Sequence, residues 1–191
     1  MTNRLTTAPT EEPISLAEMR LQIGITGNDD TARDAVISSR ITSARQWAEK
    51  HTQRAFVTQT WTYYASVFTD YFDLKLDLQS VTSVKYIDSD GVLKTLDSSS
   101  YKVDLVNSRV YLAYGESWPT VRNEVNAIQV EHISGYGLAE TVPEQIKEAI
   151  KFTVGHWENY QSTIEGAERI TTIPYAVTQL LAPYVDLRSV F

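Results

Sequence analysis

The spacing of apolar residues changes twice along this chain, and that change constrains the fold more than any other feature. Up to about residue 54, apolar side chains recur every three or four positions. From 55 to 134 they alternate or cluster as β-branched and aromatic residues. From 141 onward the three-four spacing returns. Side chains repeat about every 3.6 residues around a helix and every second residue along a strand. The chain should therefore make helices, then strands, then helices again. This is an α+β arrangement: a small helical bundle of two long helices plus short flanking helices, with an inserted, mostly antiparallel β-sheet lobe.

Five segments follow: a flexible lead-in over 1–13, helices over 14–54, a β-rich insertion over 55–138, helices over 141–184 and a tail over 185–191. The lead-in "MTNRLTTAPTEEP" is polar, holds two prolines and lacks the apolar core of a secretory signal. In "PISLAEMRLQIGI", Ser15 and Glu18 form a capping box and Leu16, Met19 and Ile23 make one face. "DDTARDAVISSRITSARQWAEKHT" predicts the first long helix, capped by Asp30 or Thr31. Its stripe is Ile37, Ile41, Ala44 and Ala48, widened by Val36 and Trp47, with Arg33, Arg40, Arg45 and Lys50 elsewhere.

In the middle segment, "TQTWTYYASVF" is rich in residues that suit a pleated surface. "FDLKLDL" alternates, with Phe72, Leu74, Leu76 and Leu78 on one side. "SVTSVKYID", "SDG" and "VLKTL" predict a hairpin turning at Gly91. "YKVDLVNSRVYL" predicts another turning at Asn107-Ser108, and "AIQVEHISGYG" a strand ending at Gly135. The second long helix, "TVPEQIKEAIKFTVGHWENYQST", carries the stripe Ile146, Ile150, Thr153, Trp157, Tyr160 and Ile164. "PYAVTQLLAPY" makes a short last helix with Val177, Leu180 and Leu181 inward and Pro183 closing it. The tail "VDLRSVF" has no partner in its own pattern.

Several chemistries lack a basis. With no cysteine there is no disulfide, thiol nucleophile or thiolate metal site. The formal charge is −7, from 17 basic and 24 acidic residues, and no segment forms a basic patch, so tight binding to a phosphate backbone is disfavoured. "VGHWENYQS" sets His156 near Glu158, but residues two apart on a helix do not share a face. A metal-binding helix wants His at i and i+4, or Glu-x-x-His. His132 alternates with Val130 and Ile133 and should face solvent or an interface; His51 suits a helix C-terminus. "DSDG" at 88–91 starts like a calcium loop but lacks its later ligands. "GYG" at 135–137 is no dinucleotide fingerprint. Two alternatives remain. One is a hydrolase or metal enzyme using His156, Glu158 and His132. The other is a glycan-binding module whose face is Trp61, Tyr63, Tyr64 and Tyr71.

Taken in order, "PISLAEMRLQIGI", "NDDTARDAVISSRITSARQWAEKHTQRAFVTQTW", "LQSVTSVKYIDSDG", "YKVD", "SWP", "VEHISGYG", "VPEQIKEAIKFTVGHWEN" and "IPYAVTQLLAPY" resemble the head–tail connector (adaptor) family of long-tailed bacteriophages and gene transfer agents. The similarity is to the branch with a β-rich insertion and covers nearly all of 13–184. Two places depart from the pattern: Tyr160-Gln161 stands where a basic residue is expected, and the tail after Tyr184 is long. The resemblance implies a structural virion protein, not an enzyme, with no cofactor. It implies a ring of identical subunits, dodecameric in the family, beneath the portal protein, with a stopper ring or tail protein docking below. DNA would pass through the channel without specific binding. The expected location is the virion neck, assembled in the host bacterial cytoplasm. His156 and Glu158 become structural or interface residues. Tyr184, Leu187, Arg188, Val190 and Phe191 become the candidate contacts to portal or neighbouring subunit, because Leu187, Val190 and Phe191 would otherwise be left apolar in water.

Overall fold

The structure, a computed structural model, describes residues 2–25, 31–161 and 174–189. The elements are β1 (Thr2–Thr7), α1 (Leu16–Gln22), α2 (Thr31–Thr52), β2 (Gln59–Ala65), β3 (Tyr71–Asp73), β4 (Leu78–Ile87), β5 (Leu93–Thr95), β6 (Tyr101–Asp104), β7 (Arg109–Leu112), β8 (Ile128–Ser134), α3 (Glu144–Gln161) and α4 (Tyr175–Leu181). They form two compact units. One takes residues 1–10 and 58–136, the other 11–57 and 137–191. The fold class is the expected α+β, with a helical part and antiparallel sheets.

The helical unit is built from the stripes that the sequence shows. Ile37, Ile41, Ala44 and Ala48 of α2 are buried, as are Ile146, Ile150 and Thr153 of α3, Val177 and Leu181 of α4, and Met19 of α1. The buried face of α3 also takes in Val154, which the stripe did not include, while Trp157 and Leu180 are only half-buried. Ser15 caps α1: its hydroxyl accepts the Glu18 N–H at 3.1 Å, and the Glu18 carboxylate accepts the Ser15 N–H at 2.7 Å. The Ser15 hydroxyl also donates to the Glu18 carboxylate at 2.7 Å, and the bonds from the Ser15 N–H and hydroxyl hold that carboxyl below its ordinary pKa. Val36 is exposed rather than part of the stripe, and Trp47 is half-buried and stacked on His51 at 5.2 Å.

Arg45 departs further from the sequence reading, since it is buried. Its guanidinium donates to Glu12 and to Glu49, each at 2.7 Å, and Glu49 also accepts the Phe56 N–H at 2.9 Å. Burial works against the charge on Arg45, but the bonds from Glu12 and Glu49 outweigh it and raise its pKa. A charge on the core side of a helix is tolerated because each guanidinium nitrogen donates to a carboxylate.

The sheet unit contains a five-stranded sheet, ordered β1-β2-β8-β4-β5, and a three-stranded sheet, ordered β3-β7-β6; every pairing is antiparallel. Their apolar faces share one core of Tyr63, Phe72, Leu74, Val84, Tyr101, Val110, Ile128 and Val130. Phe68 stacks on Trp118 with ring centroids 4.5 Å apart and closes one side of it. The hairpins turn where expected, at Gly91 (φ 83°) and Ser108 (φ 55°). Asp88 accepts from the Asp90 and Val92 N–H groups and pairs with Lys94 at 2.6 Å, so "DSDG" is a hairpin turn held by its own aspartate.

Two expectations fail here. The lead-in over 1–13 is not uniformly flexible: Thr2–Thr7 pairs along β2. A short threonine-rich segment shows no hydrophobic period, yet an edge strand needs only a neighbour's backbone donors and acceptors. "FDLKLDL" is not one strand either. The chain leaves β3 after Asp73, and Asp77 adopts a left-handed φ of 61° before β4 begins. Phe72, Leu74 and Leu78 are buried as expected, but Lys75 is buried too and Leu76 is only half-buried.

Candidate functional site

His156 and Glu158 lie on α3 and do not form a joint site. Glu158 pairs with Arg40 of α2 and lies 3.9 Å from Arg33. It ties the two long helices together. His156 is half-buried and lines a groove of about 420 Å³ with Gln22, Ile23, Lys151, Phe152, Gly155, Asn159, Pro174, Ala176 and Val177. The Lys151 ammonium bonds Glu148 at 2.9 Å, which raises its pKa. Among the described residues that line the groove there is no carboxylate. Among the described residues no group of three or more His, Asp or Glu side chains could hold a metal. The groove suits an apolar side chain better than a reacting one.

His132 is the main correction. It is fully buried, not facing solvent. It lies between Trp61 of β2 and Val81 of β4 in the ladder. One ring nitrogen, Nδ1, lies 3.3 Å from the Val130 carbonyl, while Nε2 is buried without a partner among the described residues. The Lys75 ammonium sits 4.7 Å from the centre of the Trp61 ring. Burial pushes the His132 pKa down to about 4, the Val130 bond opposes this weakly, and Lys75 adds repulsion. The imidazole is neutral at pH 7 and acts as a core residue, remote in sequence and element from His156.

The aromatic face also dissolves. Tyr63 is buried against Phe72 with centroids 5.6 Å apart, and Trp61 lies under Lys75. Tyr63 and Tyr64 are adjacent on one strand and so point to opposite faces. Tyr71 belongs to the other sheet, exposed, with the Arg109 guanidinium 4.3 Å above its ring. These four rings do not make one stacking platform.

The stretch after α4 is better anchored than its pattern suggests. Arg54 donates to the Tyr184 carbonyl at 2.6 Å, and the Tyr184 hydroxyl donates to Gln145 at 3.1 Å. The Asp186 N–H donates to the Thr52 carbonyl at 2.8 Å. The Arg188 guanidinium bonds the Asp186 carboxylate at 2.9 Å. Burial alone would raise the Asp186 pKa, but the Arg188 bonds turn the shift downward. Leu187 remains 63% exposed. Val190 and Phe191 lie outside the described residues, as do Asp30 and Ile164. The sequence reading missed other exposed apolar side chains at turns and loops of the sheet unit: Val106, Tyr114 and Val125. Each sits in a segment that lacks a period, so no pattern flagged it.

With this geometry in place, comparison with solved structures is informative. A chain in the neck of an empty gene transfer agent particle, computed with C6 symmetry, superposes with a TM-score of 0.78 at 20% identity, over 98% of this chain and 97% of that one. The chain shares the fold of that neck component. A chain in the virion of the native gene transfer agent particle gives 0.76 at 19% identity, and one in the native neck computed with C12 symmetry gives 0.70 at 17%; the coverage is again 98% and 97% in both. The neck fold thus accounts for both units, sheet and helical. No family model matches the sequence, and no curated protein matches it. Among the described residues no helix is long and apolar enough to cross a membrane.

Proposed function

We propose that this chain is a structural, non-enzymatic protein of a virion neck. It acts as a head–tail connector, or adaptor, forming a ring beneath the portal protein. The observation that carries this reading is the fold match along 98% of the chain to components of symmetric neck assemblies. A ring of identical subunits needs a head-to-tail interface whose rotation closes, and the exposed apolar residues at turns and loops give material for contacts. The acidic composition agrees with a channel wall: each phosphate neutralised by Lys or Arg adds affinity, and a conduit must let DNA slide. The proposed partners are the portal protein on one face and a stopper ring or tail protein on the other. Assembly would take place in the host bacterial cytoplasm.

Within this reading, Tyr184, Leu187 and Arg188, with Val190 and Phe191, face the portal or a neighbouring subunit. The bonds with Arg54, Gln145 and Thr52 hold Tyr184 and Asp186 within the helical unit. Leu187 is the apolar residue it presents. The test is sedimentation of the chain alone and with the portal protein of the same particle. Co-sedimentation as a ring complex is the expected result, and deletion of 185–191 should weaken it. No association across a range of salt would refute the adaptor reading.

A further inference from the structure

We propose that β1 is an exchangeable strand. In the assembled ring it leaves its own β2 and pairs with β2 of a neighbouring copy of this chain. The inference rests on the ring reading above.

The first support is how loosely β1 is held. Five of its six residues are exposed, and Leu5 is its one large apolar side chain. Asn3 keeps a buried side-chain oxygen without a partner among the described residues. The register breaks between Leu5 and Thr7. The backbone ladder and a bond between the Thr6 and Thr62 hydroxyls, 2.7 Å apart, do most of the holding. Such a strand can be replaced by an identical one without loss of buried core.

The second support is the link that follows. Glu12 accepts from Arg45 and from the Thr42 hydroxyl, and Glu11 accepts the Ala139 N–H at 2.8 Å. The chain is therefore fixed on the helical unit from residue 11. Only Ala8, Pro9 and Thr10 separate that anchor from the strand, and proline fixes its own φ. Short, stiff hinge links favour exchange of the element beside them between copies.

The alternative lateral contact, one sheet edge added to another, fits a ring less well. Because every pairing is antiparallel, β1 and β5 run the same way at opposite edges, and joining them would continue the sheet from copy to copy. Neighbouring strands rotate by roughly 20 to 25° each, so a continued sheet winds into a ribbon. The β5 edge is also only three residues long and carries Lys94, the usual protection of an edge. Exchange keeps five strands in each sheet and passes one strand from each copy to the next, which closes in a ring. A free chain favours its own β1, because the tether gives it the higher effective concentration. Rings would then wait until a template gathers the copies.

The absence of cysteine makes the test clean. The pair Thr6→Cys and Thr62→Cys puts two thiols where hydroxyls lie 2.7 Å apart. Oxidised as a free monomer, this variant is locked with its own strand in place. It should then fail to form a ring on the portal protein, and reduction should restore assembly. Oxidised after assembly in the reduced state, it should give a ladder of cross-linked chains on a non-reducing gel. If the locked monomer assembles as well as the reduced one, or if cross-links in the ring stay within single chains, exchange is wrong and the neck reading stands. If the unmodified chain forms no ring with the portal, the neck reading fails and exchange fails with it. Should the first pair not fold, Thr2→Cys with Tyr64→Cys, partners in the same ladder, repeats the measurement.

Discussion

Acid should destabilise this protein through a single buried imidazole. His132 is fully buried, and its pKa is pushed from 6.5 to about 4. A histidine depressed in the folded state binds its proton more readily when unfolded. Its stabilising effect is therefore complete above pH 6.5 and is lost as the pH falls toward 4. The separation is roughly 2.5 pKa units, worth about 3 kcal/mol when fully expressed. That is a large part of the stability of a small domain, about 5–15 kcal/mol. The assay is urea unfolding at pH 7, 5.5 and 4.5 for the parent chain and for His132→Gln. Every other titratable group is common to both proteins, so the difference between the two curves isolates His132. The parent should lose more stability than the variant over this range, with the gap closing by about 2 to 3 kcal/mol. Lys75→Met should raise the His132 pKa in the folded state and so make the loss of stability on acidification smaller, because a repelling cation is gone. Parallel curves for parent and His132→Gln would show that His132 is solvated or already paired, and would refute the reasoning.

Arg45→Ala should cost about 3–5 kcal/mol in denaturant unfolding, because it leaves Glu49 buried beside an empty site; the joint replacement of Arg45, Glu12 and Glu49 by apolar residues should cost less. Ser15→Ala removes a capping box and should lower stability by about 1 kcal/mol in the same assay. Phe72→Ala opens the core shared by the two sheets and should cost about 3–5 kcal/mol, read as a lower thermal midpoint. Leu187→Asp should leave the thermal midpoint unchanged while reducing co-sedimentation with the portal protein, since Leu187 is exposed in the free chain.

Local chemistry alone determined much of this protein. The stripes of α2 and α3, the Ser15–Glu18 cap and the turns at Gly91 and Ser108 depend on neighbours within a few residues, and these were legible in the chain. The tertiary structure decided the rest. Arg45 and Lys75 look like solvent residues in sequence, yet both are buried, Arg45 between two carboxylates and Lys75 over an indole ring. His132 sits on a strand whose alternation is clear. Which of its two faces meets the core, however, depends on the register with β2 and β4. The strand β1 carries no pattern, because an edge is held by the backbone of another segment. Of the candidate site, Glu158 and His156 were visible as residues, but their separate roles were not, since Arg40, the partner of Glu158, lies 118 residues away. Periodicity reports what a residue does with its own element. Burial of a charge, choice of a sheet face and capture of an edge strand depend on segments far away in the chain, and only folding brings those together.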